Sequence, residues 1–159
     1  MNTAEFLGQL GLGLPLGLAA IGSALGIGAA GRAAAGAWGK EAKAGKPLNF
    51  LYVVLTAMPL SQTIYAFVLM LAVLKGRIIG DGAILATHAG TLFGFGLACG
   101  LAELFSAWLQ GKIGAAACRA MSEGEGKGFV FMIIAMGVVE TVGLFGFVFL
   151  LLVKPPMAG

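Results

Sequence analysis

The chain has 159 residues, of which 59% are hydrophobic and 11% charged, with 27 glycines and a mean hydropathy of +0.97. Soluble domains carry about 25% charge and about 45–50% apolar residues, so this composition argues against a water-soluble enzyme and describes a membrane protein. The formal charge of +3 comes from a few basic residues in short polar stretches, not from a face that could hold nucleic acid.

The first segment, MNTAEFLGQL, has no Lys or Arg ahead of its apolar run, and that run outlasts a signal-peptide core, so it reads as the mature first helix. Four apolar runs follow one another at roughly 9–31, 48–74, 83–109 and 129–153. Each can cross a bilayer, which takes about 20 helical residues, and none alternates as a barrel strand does. The fold class expected is therefore all-α, with four transmembrane helices. Arg32, Lys40, Lys43 and Lys46 lie between the first and second runs, and Lys112, Arg119 and Lys127 between the third and fourth. The middle connection has Lys75 and Arg77, and the C-terminal tail has Lys154. The positive-inside bias places the first and third loops in the cytoplasm and both termini outside. Cys99 and Cys118 stand among apolar and small residues with no CxxC, which suits packing rather than a disulfide or zinc site.

Shifting the chain by 83 residues aligns GLAAIGSALGIGAAGRAAAG from Gly17 with GLAELFSAWLQGKIGAAACR from Gly100. Gly17, Leu18, Ala19, Ser23, Ala24, Gly28, Gly31, Ala33 and Ala34 all recur, and AMPLSQTIYAFV then falls near AMGVVETVGLFGFV once a shorter third loop is allowed. The chain reads as two tandem helical hairpins, 1–80 and 81–159, pointing the same way within one membrane domain. Gly22 with Gly26, and Gly96 with Gly100, stand four apart and permit close backbone approach. Helices 1 and 3 should form a crowded inner layer, to which Gly28 and Gly31 are also expected to contribute, with the bulkier helices 2 and 4 outside.

Polar residues inside these spans carry the functional reading. A carboxylate at Glu140, mid-way along the fourth span, costs several kcal/mol to insert and marks a site that exchanges a cation or a proton. In the second span Met58, Ser61, Gln62 and Tyr65 fall at i, i+3, i+4 and i+7, on one helical stripe. Pro59 deprives the Leu55 carbonyl of its usual partner, and a freed carbonyl suits a hard cation. Helix 3 offers Glu103 and Gln110. Counting back from a turn at Glu125 makes Gln110 level with Glu140 and sets Glu103 about 10 Å further out, provided that helix 3 continues past Lys112.

The tandem hairpins, the glycine-rich helices 1 and 3, and the motifs PLSQTIY, LQGK and VET together resemble the proteolipid c (or K) subunit of the V-type ATPase rotor ring, from about Gly11 to Val153. The resemblance implies a ring of identical four-helix subunits that turns in the membrane, driven by ATP hydrolysis in other subunits. Its partners would be copies of itself, a static a/I membrane subunit, central-stalk subunits at the cytoplasmic loops, and membrane lipid. No catalytic or nucleotide site is expected in this chain. In sodium-translocating members the matching positions imply Glu140 as the carboxylate, Gln62 and Gln110 as glutamine ligands, Ser61 as the hydroxyl, and Tyr65 as the residue that locks Glu140. The family's carbonyl falls on Met58, whereas the backbone argument frees Leu55. Na⁺ is the ion expected, since a proton carrier has little use for so many oxygens. Glu103 replaces the family's usual small residue, as either a second proton-holding group or part of the ring interior, and the hairpin arithmetic leads to the expectation that it is protonated and outside the ion shell. A proton-translocating ring of the same family is the alternative. A four-helix multidrug exporter fits less well, since its glutamate lies in the first span.

Overall fold

The computed structural model describes residues 2–80 and 82–154, and their regular elements are all helical. Four helices are long and apolar enough to cross a membrane: α1 (Thr3–Lys43), α2 (Leu51–Ile78), α3 (Gly82–Glu123) and α4 (Phe129–Leu152). The expected boundary between the hairpins falls at residue 81, outside the described residues. An Asn2–Glu5 capping box starts α1: the Asn2 side chain accepts from the Glu5 backbone and the Glu5 carboxylate accepts in return. The short turn before α4 needs left-handed backbone at Gly126 and Gly128, both at φ 85°.

Helices α1 and α3, with 41 and 42 residues, are far longer than the apolar runs suggested. At 1.5 Å per residue α1 spans roughly 60 Å, about twice the hydrocarbon thickness, and α3, which kinks at His88 where the backbone leaves helical φ/ψ, continues for roughly 50 Å beyond the kink. The apolar windows marked only the lipid-immersed part. Arg32, Lys40, Lys43, Lys112 and Arg119, expected between the spans, are therefore helical extensions, and of the first group only Lys46 lies in a loop.

Glycine lets α1 and α3 run side by side in the same direction. A methyl group on Gly11 would strike the backbone of Leu92 and Phe93, and one on Gly96 would strike Gly11. Similarly, a Cβ on Gly22 would collide with the Leu104 backbone, and one on Gly26 with Ala107. Gly111 meets Gly26 backbone to backbone. These closest pairs differ by 81 to 85 in residue number (Gly26 with Ala107 at one end, Gly11 with Gly96 at the other), which brackets the 83-residue repeat. Gly28 and Gly31 do not take part: their substituents would meet only Arg32 Nη1 at 3.7 Å and Thr56 Cγ2 at 3.5 Å, ordinary contacts. Within the subunit these two positions are therefore not tightly packed, and the crowding expected of them would have to come from neighbouring copies in an assembly.

Helix α2 packs across both α1 and α3, while α4 rests mainly on α3 and meets α2 along Ser61–Leu69. Only Met136 and Gly143 of α4 are buried, and Phe131, Val138, Val142 and Phe149 project outward. Two apolar clusters divide the subunit lengthwise. One gathers Leu69, Val73, Leu92, Phe95 and Cys99, the other Tyr52, Leu55, Cys118, Met121 and Met136. Between them lies a polar layer.

Candidate ion-binding site

Pro59 shapes the first wall of this layer. Having no N–H, it breaks the α2 ladder, and Met58–Leu60 tighten into a 3₁₀ turn. The freed Leu55 carbonyl does not face the site. It lies against α3, where a Cβ on Gly114 would come within 2.8 Å of it, so it serves helix packing and the backbone argument for Leu55 fails. The Met58 carbonyl instead lies 3.0 Å from the Ser61 hydroxyl and Gln62 Oε1 lies 3.1 Å from it, the two oxygens sharing its one proton. Three oxygens thus gather on one side of α2. The Pro59 carbonyl is held from α1 by Ser23 Oγ at 2.5 Å. Ser23 spends its single proton there, so Thr63 is the donor in the 2.7 Å contact between the two hydroxyls.

The second wall comes from α3 and α4. Glu140 is half-buried, with Oε1 accepting the Tyr65 hydroxyl at 3.0 Å and Oε2 accepting Gln110 Nε2 at 3.2 Å. The other Gln110 amide hydrogen goes to the Met136 carbonyl at 3.2 Å. Fully buried Gln62 donates to Gln110 Oε1 at 3.2 Å and to Ser106 Oγ at 3.1 Å, and Ser106 passes its proton to the Val139 carbonyl at 2.9 Å. The Tyr65 ring stacks on Phe147, centroids 6.1 Å apart, which fixes the hydroxyl over the carboxylate.

Met58, Ser61, Gln62, Tyr65, Gln110 and Glu140 therefore lie in one hydrogen-bonded cluster spread over three helices. Gln110 reaches Glu140 through its amide N–H. To serve as an oxygen ligand it would present Oε1 instead, after a half-turn of its terminal amide. The condition attached to Gln110 is met, because α3 runs well past Lys112.

Two features differ from the sequence reading. Ser106 joins α2 to α4 at the centre of the cluster, yet it drew no attention as a ligand. The available signal was its recurrence with Ser23 under the 83-residue shift, since each serine ties an inner helix to the carbonyl of an outer one. Glu103 is also nearer than the turn arithmetic implied. It packs with Ser106 against Gly143, three residues from Glu140, which puts it roughly one turn, about 5 Å, further along rather than 10 Å. The arithmetic assumed a symmetric turn. In the structure the turn folds back on α3, with Gly126 N donating to the Met121 carbonyl, and the level pairs slip.

Comparison with curated proteins gave no match. The family model for the ATP synthase c subunit matches the chain twice, over residues 10–73 and 93–153. The two matches start 83 residues apart, the same shift that aligns the chain with itself. Duplicated hairpins, four membrane-length helices and a match over most of the sequence agree: the chain belongs to the ATP synthase c-subunit family, the ion-carrying proteolipids that form oligomeric rings within ATP synthase-like complexes.

Proposed function

We propose that this chain is the rotor-ring proteolipid of a V-type rotary ATPase and that its cargo is Na⁺, bound by Glu140. The observation that carries this reading is the gathering of Ser61 Oγ, Gln62 Oε1 and the Met58 carbonyl beside a carboxylate that Tyr65 and Gln110 hold in place. A proton needs one carboxyl group in an apolar wall. Na⁺ must trade its water for several oxygens, because an undercoordinated cation in hydrocarbon is prohibitive. Gln62 and Gln110, with their amide oxygens, and Ser61 supply that shell around ionised Glu140. Tyr65 is the lock, and its release where the ring meets a static membrane subunit would let the ion leave. One ion-carrying carboxylate per four helices supports the V-type assignment: a ring of given circumference then carries fewer ions per turn, which favours ATP-driven pumping over synthesis. Rotation would be driven by hydrolysis in other subunits. The loops after α1 and α3 would face the cytoplasm and the central stalk, at the ends where the basic residues concentrate.

Na⁺ and H⁺ compete for Glu140 in this reading, so carbodiimide labelling tests it, since the reagent attacks the protonated acid. Millimolar Na⁺ should protect Glu140 in purified rings, and protection should weaken as pH falls. Labelling that ignores Na⁺ from neutral to mildly acidic pH would establish the alternative, a proton-carrying ring. That alternative draws support from Gln110, which faces Glu140 with its N–H donor.

A further inference from the structure

Glu103 is a second intramembrane acid that the ion-carrying mechanism does not use. It is 0% exposed, and among the described residues neither carboxyl oxygen has a hydrogen-bond partner. The surrounding donors are already committed. Both Gln62 amide hydrogens go to Gln110 and Ser106, both Gln110 hydrogens to Met136 and Glu140, the Ser106 proton to Val139 and the Tyr65 proton to Glu140. No cation is at hand either. Between Glu5 and Arg32 α1 has no ionisable side chain, and α4 has only Glu140. The titratable groups nearest Glu103 are Glu140 of α4, Tyr65 of α2 and Cys99 of α3 itself, none of which can carry positive charge.

The space for this acid is built into the duplication. Under the 83-residue shift Glu103 stands where the first half has Ala20. Under the 78-residue shift that carries Gln62 onto Glu140, Gly143 stands where the first half has Tyr65. The second half has thus exchanged a small inner residue for an acid and a large outer one for glycine. A Cβ on Gly143 would collide with Glu103 Oε2, so the glycine makes the pocket that the carboxyl fills.

We infer that Glu103 is a second, resident proton-binding site in each subunit, and that its proton leaves the charge of the neighbouring ion site to Glu140 alone. An ionised carboxylate here would lack both donors and counter-ion, in an apolar wall where nothing replaces its lost hydration. A neutral acid needs only one acceptor, and Ser106 Oγ, which shares the Gly143 surface, has a free lone pair within a side-chain adjustment. With Glu103 neutral, a single cation balances Glu140. With both ionised, the site would carry two negative charges one helical turn apart. The inference does not depend on whether Glu140 carries Na⁺ or H⁺.

Infrared spectroscopy of purified rings tests it, because a carboxylic acid and a carboxylate absorb at separate, isotope-sensitive positions. At neutral pH and saturating Na⁺ the parent ring should show a buried carboxylic-acid band, absent in Glu103→Gln and retained in Glu140→Gln. In Glu103→Gln, a neutral isostere, the Na⁺ concentration that half-protects Glu140 should stay within about threefold of the parent, well under the tenfold that 1.4 kcal/mol would give. No acid band in the Glu140→Gln ring would overturn the assignment, and so would a band that survives Glu103→Gln in rings whose Glu140 is protected by Na⁺ and is therefore ionised. So would a tenfold or larger loss of Na⁺ protection in Glu103→Gln, which would mean that Glu103 contributes charge. The Glu140→Gln ring decides the question even if Glu103→Gln does not assemble, and also if the parent ring proves to carry protons.

Discussion

In the proposed ion site, retention would turn on Gln110 and Tyr65, because each gives Glu140 one hydrogen bond, at opposite oxygens of the carboxylate. Tyr65→Phe keeps the stacked ring on Phe147 and removes only the donor. A hydrogen bond is worth roughly 1 kcal/mol net, so Na⁺ protection of Glu140 against carbodiimide should weaken about fivefold, with ring assembly intact. Gln110→Leu removes more: the donor to Glu140, the donor to Met136, and the acceptor that satisfies Gln62. It should weaken Na⁺ protection more than Tyr65→Phe does, while Glu140 stays reactive when Na⁺ is absent. Titrating protection with Na⁺ in the two variants measures both effects. Equal protection in Gln110→Leu and parent would remove Gln110 from the ion shell.

At the scale of elements, the decisive contact is α1 against α3. Their backbones meet at Gly26 and Gly111, where no side-chain atom fits between them. Gly26→Val should prevent stable subunit folding, since relief requires moving a helix backbone rather than a flexible side chain, and overpacking already costs about 1–3 kcal/mol where side chains can adjust. Gly28→Leu, two residues away, meets only ordinary contacts and should leave the subunit fold unchanged. Circular dichroism and thermal denaturation in detergent would compare the two. If Gly28→Leu folds but fails to form rings by native mass spectrometry, Gly28 faces a neighbouring copy. Helix α2 depends on the clamp from Ser23 to the Pro59 carbonyl, which holds the 3₁₀ turn and hence the Met58 and Ser61 oxygens in position.

Across the whole molecule, the two hairpins are also tied at their loops. Lys46, after α1, meets Glu125, before α4, at 2.8 Å. Each holds the other's charge: the Glu125 carboxyl lies below its ordinary range and the Lys46 ammonium above it, chiefly through this hydrogen bond. Because the folded Glu125 binds its proton less readily than the unfolded chain, its contribution to stability is present above the ordinary glutamate range. It is lost as pH falls through the lower, folded value. The Lys46 contribution is present below the ordinary lysine range and is lost only as pH rises through its raised value. Both groups are solvent-exposed and the effect is small. Glu125→Gln should therefore melt slightly below the parent at neutral pH, and the difference should vanish in acid. A nearby clamp is more buried: Glu41 accepts the Tyr52 hydroxyl at 2.8 Å and the Asn49 backbone at 2.9 Å, while Trp38 donates to the Asn49 carbonyl at 2.9 Å. Together they set how α2 leaves the end of α1.

The four spans, the duplication and the presence of a lone acid at Glu140 in the last span were legible in the sequence, because each rests on one-dimensional information. Apolar length separates membrane helix from loop, an internal shift reveals repetition, and a lone acid in a hydrocarbon-length run stands out whatever surrounds it. Where the helices end was not legible. The lipid-immersed part is apolar, but the aqueous continuation of α1 and α3 is an Ala-rich, basic helix that hydropathy cannot tell from a loop. The fate of the Leu55 carbonyl, the irrelevance of Gly28 to packing within the subunit, the central place of Ser106 and the closeness of Glu103 to Glu140 all needed the tertiary structure. Each depends on how one helix is rotated and offset against another. A one-turn slip in that offset, here produced by a turn that folds back on α3, changes which side chains meet without altering the periodicity of either sequence.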